Sequence, residues 1–115
     1  MSRVQLALNV SDLDAAVEFY SKLFNTPVNK RKPGYANFAI AEPPLKLVLI
    51  EGEGGGTLNH LGVEVETADE VEAAERRLSN DGLATTGIDD TMCCYALKTE
   101  TWASDPDGAP WESYV

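Results

Sequence analysis

The sequence is written twice. "VQLALNV", from Val4, is matched later by "NHLGVEV", from Asn59, and "PLKLVL", from Pro44, by "PWESYV", from Pro110. An internal repeat constrains the fold more tightly than composition does, because each copy must form the same supersecondary unit. In the first copy, "RVQLALNVSDLDAAVEFYSKLF" opens with strand-like alternation. Ser11 and Asp14 then supply the capping pair of a helix start. Leu13, Ala16, Val17, Tyr20, Leu23 and Phe24 follow the helical i, i+3, i+4, i+7 spacing, and the helix is predicted to end at Asn25-Thr26-Pro27. In the second copy, "LNHLGVEVETADEVEAAERRLSNDG" repeats the plan: a strand, Thr67 with Glu70 as the capping pair, Val71, Ala74 and Leu78 on one face, and Gly82 as the stop.

Between the copies, "NKRK", "YANFAIA" and "LKLVLIE" read as three strands separated by "PG" and "EPP" turns, and "GEGGGT" reads as a flexible link. Each half is therefore strand, helix, then three strands, an α+β arrangement of two tandem βαβββ modules. At 115 residues the chain is expected to form one domain. Its modules are expected over about 1–52 and 58–115, with the linker at 52–57.

Aligning the copies places Gln5 on His60, the only histidine, and Lys46 on Glu112. In a two-fold arrangement of such halves, these four side chains would converge on the concave face of an open, cupped sheet, a natural ligand site. Gln5, His60 and Glu112 can each offer a lone pair to a metal, whereas a protonated Lys46 cannot. Three donors and a gap are the pattern of a catalytic rather than a structural site. Each residue also has a plain structural reading, as a satisfied strand histidine, an inward polar residue or an edge carboxylate. Only their equivalence across the repeat makes them ligand candidates. Trp102, Trp111, Tyr35 and Phe38 are core residues by type and weaker pocket candidates.

Charge and apolar patterning narrow the partners. A formal charge of -10 repels a phosphate backbone and leaves no Lys/Arg stripe for nucleic acid. The longest apolar runs, such as "LKLVLI", stop well short of the ~18 residues of a membrane span, and "MSRVQLALNV" lacks the layout of a signal peptide. A cytoplasmic protein with no membrane or nucleic-acid partner is expected, as a monomer or homodimer. Any tail beyond the last strand is expected to be flexible.

The duplicated plan, the "DPDGAPWESYV" ending and the placement of His60 and Glu112 resemble the vicinal oxygen chelate superfamily, which includes glyoxalases, extradiol dioxygenases and bleomycin-resistance proteins. The resemblance covers the whole chain. Within it, "RVQLALNV", "KPGYANFAIAEPPLKLVLIE", "TLNHLGVEV" and "CCYA" resemble the cadmium-induced proteins and the organoarsenical carbon–arsenic lyases. That resemblance implies a ferrous-iron dioxygenase with Gln5, His60 and Glu112 as metal ligands, dioxygen as co-substrate, and Cys93 with Cys94 holding the arsenic of a trivalent organoarsenical. A glutamine amide replaces one histidine of the two-histidine, one-carboxylate triad, so looser retention and exchange with other divalent ions are expected. Glyoxalase chemistry usually calls for a fourth ligand where this chain has Lys46, which argues against a glyoxalase.

Both cysteines lie side by side in "TMCCY". Neighbouring side chains of a regular strand point to opposite faces, so two adjacent thiols can grip one atom only where the backbone is irregular. From Gln5 to Lys46 is 41 positions and from His60 to Glu112 is 52, and the surplus is expected in a loop over "GIDDTMCCYALK", ahead of the strand "TETWAS". Trivalent arsenic is soft and thiophilic, which accounts for a pair of thiols. Two buried small hydrophobes are the structural alternative. The alternative function is a protein that sequesters arsenic or cadmium without turnover. A drug-binding relative of the bleomycin-resistance proteins is a third, against which the intact ligand set speaks.

Overall fold

The two helices start where short polar side chains can take up unbonded amides. A computed structural model describes residues 2–93 and 96–115, with the side chains of 91–97 outside the description. The chain divides into two compact units, one of Val4–Asn59 and the other of His60–Val115 together with Arg3.

In the first unit, β1 (Arg3–Val10) leads to α1 (Leu13–Leu23), followed by β2 (Lys30–Lys32), β3 (Tyr35–Ile40) and β4 (Leu45–Glu51). The N-cap is Asp12, whose side chain accepts from the Ala15 amide at 3.1 Å, rather than Ser11. Ser11 is held one residue too early, packed against Gly55. The next amide, of Leu13, donates to Glu51 at the end of β4 at 2.8 Å, so a carboxylate from another strand meets the positive end of the helix. Leu13 is buried and Ala16, Val17, Tyr20 and Phe24 pack on the core, as the spacing requires. Leu23 does not: it lies about 80° around the helix from Leu13 and is 58% exposed.

Within this unit β4 runs parallel to β1 and antiparallel to β3, and β3 is antiparallel to β2. Period-two alternation sends Phe38, Ile40, Leu47 and Leu49 into the core with α1. The other sheet face carries Gln5, Ala7, Asn37, Lys46 and Val48, where Gln5 and Asn37 are buried polar residues.

The "GEGGGT" stretch is tied down rather than a free link. The amide of Gly52 donates to the Val10 carbonyl at 3.0 Å and that of Gly56 to Asn9 at 2.9 Å. Gly54 and Gly56 adopt φ of 78° and 88°, which a side chain would strain. A Cβ on Gly55 would lie 2.9 Å from the Ser11 amide nitrogen. Gly55→Ala therefore forces backbone apart and should lower stability by about 1–3 kcal/mol, read as an earlier denaturation midpoint at unchanged slope.

The second unit repeats the order. After β5 (Thr57–Glu64), whose first three residues belong to the first unit, come α2 (Ala68–Asn80), β6 (Asp89–Cys93), β7 (Ala96–Ser104) and β8 (Pro110–Tyr114). Thr67 caps α2 by accepting from the Glu70 amide at 3.2 Å, and Gly82, at φ 86°, follows its end. Val71 is fully buried, with Ala74 and Leu78 half-buried on the same face. β8 is parallel to β5 and antiparallel to β7, and β7 is antiparallel to β6.

The surplus of the second half is not one loop. α2 spans 13 residues against 11 in α1, and the β6–β7 pair extends over 89–104 where β2–β3 needs only 30–40. Residues 89–93, expected in a loop, form a strand because β7 supplies them with a pairing edge. No helix among the described residues is long and apolar enough to cross a membrane.

Candidate metal centre

Alternation along three paired strands builds one polar face in the second unit. β5 contributes His60, Gly62 and Glu64; β8 contributes Glu112 and Tyr114; β7 contributes Lys98, Glu100 and Trp102. Glu112 stands in register between Gly62 on one neighbour and Trp102 on the other. Its side chain is completely buried. Burying a carboxylate without partners is costly, so the groups around it indicate what the site is built to hold.

His60 Nε2 lies 3.5 Å from Glu112 Oε1. The imidazole packs edge-on against the Trp102 indole, with ring centroids 5.1 Å apart at 66°. On the other oxygen, Lys98 Nζ forms an ion pair with Glu112 Oε2. The same ammonium sits 4.5 Å from the centroid of the Tyr114 ring. The remaining carboxylates of this face have partners of their own: Glu64 pairs with Arg3, and Glu100 accepts from the Trp102 indole N–H.

Donor geometry gives the fit test for a metal. Nitrogen and oxygen ligands ~2.0–2.2 Å from one ion stand roughly 3.0–3.5 Å apart at right or tetrahedral angles. The His60–Glu112 separation matches one ion held by both. Among the described residues no three His, Cys, Asp or Glu side chains gather as a metal site.

In the first unit, Gln5 and Lys46 are direct register partners on adjacent parallel strands, and Gln5 is 3% exposed. Strict equivalence would set His60 opposite Glu112 in the same way. Instead Gly62 stands opposite Glu112, an offset of two residues between the halves. Of the aromatic candidates, Trp102 reaches the site. Phe38 is a fully buried core residue, Trp111 is 39% exposed, and the Tyr35 hydroxyl accepts from Asn37 at 2.9 Å.

Cys93 is the last residue of β6 and stands in register with Ala96, two positions along β7 from Lys98. Cys94 lies outside the described residues. Lys98 is absent from the set that the repeat alignment selects. The pattern Lys98-x-Glu100-x-Trp102 held the signal, since period two puts all three on one face once the strand begins before Thr99.

Residues 3–113 match the sequence profile of the Glyoxalase/Bleomycin resistance protein/Dioxygenase superfamily. The chain is 62% identical to a trivalent organoarsenical cleaving enzyme of Thermomonospora curvata over 117 aligned positions, covering all of this chain and 78% of that protein. It is 60% identical to the cadmium-induced protein CadI of Mycobacterium bovis, covering all of this chain and 76% of that one. Among solved structures, homoprotocatechuate 2,3-dioxygenase from Arthrobacter globiformis superposes with a TM-score of 0.71 at 22% identity, over 96% of this chain and 34% of that one. The fold is that of the vicinal oxygen chelate proteins.

Proposed function

The chain belongs to the Glyoxalase/Bleomycin resistance protein/Dioxygenase superfamily, and from that membership we propose that it is an enzyme cleaving the carbon–arsenic bond of trivalent organoarsenicals, methyl or aromatic, to arsenite. Whole-chain identity of 62% to a trivalent organoarsenical cleaving enzyme carries this reading. The His60–Glu112 donor pair, with its carboxylate fully buried, supports it from the side of chemistry.

In this reading Gln5, His60 and Glu112 hold a ferrous ion, for which other divalent ions can substitute in vitro. When bound, that ion supplies the redox chemistry by which dioxygen, the co-substrate, is activated. Trp102, packed on the imidazole, fixes its orientation and shields it from water. Glu112 brings one negative charge to the donor set, and Lys98 balances part of it. Cys93 and Cys94, as thiolates, bind the arsenic and so fix where its organic group lies; holding both reactants in place supplies the orientation part of the rate enhancement. Arsenite and an oxidised organic fragment leave. The reaction is proposed to run in the cytoplasm as arsenical detoxification.

The test is anaerobic loading with ferrous ion, then addition of a trivalent methyl or phenyl arsenical and oxygen. Arsenite should be released in proportion to loaded protein and stay at background in a metal-free control. The similarity to a cadmium-induced protein favours one other reading, sequestration of arsenic or cadmium without turnover. Tight arsenical binding with no arsenite released would establish that one instead.

A further inference from the structure

Glu112 divides its two oxygens between different partners, and this division carries a consequence for metal binding. Oε1 faces His60 Nε2 at 3.5 Å, while Oε2 is ion-paired to Lys98. The lysine side chain is only 16% exposed and its ammonium is also held over the Tyr114 ring. A cation anchored at two points beside a fully buried carboxylate is not a loosely attached surface charge.

Resting on the metal-site reading above, we propose that Lys98 is the resident counter-ion of Glu112. It orients the buried carboxylate in the metal-free protein, restricts metal coordination to Oε1, and lowers the affinity of the site for divalent cations. Two effects oppose each other when Lys98 is removed. Losing an orienting partner of a ligand typically weakens metal binding 10–100-fold. Losing a positive charge a few ångströms from a doubly charged ion strengthens it, and in a buried site that repulsion is the larger quantity. Orientation is backed up here, because β5 and β7 flank Glu112 on both sides and its side chain is fully enclosed. The charge effect therefore decides the sign.

The experiment compares wild type, Lys98→Met and Lys98→Arg, using Co(II) as an oxygen-stable probe. Without metal, Lys98→Met leaves Glu112 buried without its cation and should melt roughly 10 °C or more below wild type. On titration with Co(II), the methionine variant should bind at least about tenfold more tightly than wild type, and its melting temperature should rise more on saturation. Lys98→Arg keeps the charge and should show no tightening. A purely structural lysine would give the opposite result, weaker cobalt binding in the methionine variant. Equal or weaker binding by Lys98→Met, with wild type binding normally, overturns the counter-ion proposal and leaves the metal site standing. Binding by none of the three proteins overturns both.

Discussion

His60→Ala loses ferrous-ion affinity by about 100-fold or more, and metal-dependent arsenite release falls to background. That magnitude exceeds the 10–100-fold typical of a residue that merely supports a ligand. The fold survives, because His60 makes an edge contact with Trp102 and is no part of the apolar core. Glu112→Ala loses metal too, but for two reasons that mix. It removes a donor and also leaves the half-buried Lys98 without its carboxylate, which lowers stability as well. The histidine variant is therefore the cleaner test, with melting temperature and Co(II) titration measured on the same sample. Lys46→Ala should keep metal affinity within a few-fold, and Gln5→His should retain it, since imidazole is the commoner donor at that place. Wild-type cobalt affinity in His60→Ala would show that the ligand assignment is wrong.

The second large effect concerns the thiols. Cys93→Ser and Cys94→Ser should each lose binding of a trivalent phenyl arsenical nearly as completely as the double variant. One remaining thiol forfeits the second arsenic–sulfur bond together with the orientation it imposes. Non-additivity of this kind marks groups that act as a unit. Divalent-metal affinity should survive all three changes, since the thiols lie outside the proposed ligand set. A single serine variant with normal arsenical binding and turnover would refute the paired-thiol role, whereas loss of metal with the thiols would place a cysteine among the ligands.

What could be read from the sequence was what periodicity writes directly. The apolar faces of both helices, the Thr67 cap and the Gly82 stop follow from local patterns that their surroundings reinforce. β6 was not readable because "DDTMC" has neither β-branched density nor apolar alternation, and it is a strand only by pairing with β7. The cap of α1 is Asp12 rather than Ser11, which lies against Gly55, distant in sequence. In the site, the repeat singled out His60 and Glu112, which the fold brings within 3.5 Å of each other. It did not single out Lys98, because the strand registers place Tyr35 of β3 at the equivalent position, an aromatic residue that gives no sign of a charged partner.

The two-residue offset between the halves bears on how a duplicated strand pair can diverge at all. Side chains alternate, so a slip of one residue would have turned Glu112 away from His60 and brought Trp111 or Ser113 inward in its place. A slip of two moves a donor along the groove by one pleat and leaves every other residue on the side it already occupied. Drift between sister strands is in this sense quantised in even steps. The donor pair of the second half can then be retuned by sliding, with Gly62 opposite the carboxylate where strict symmetry would put the histidine, and no core residue has to change sides.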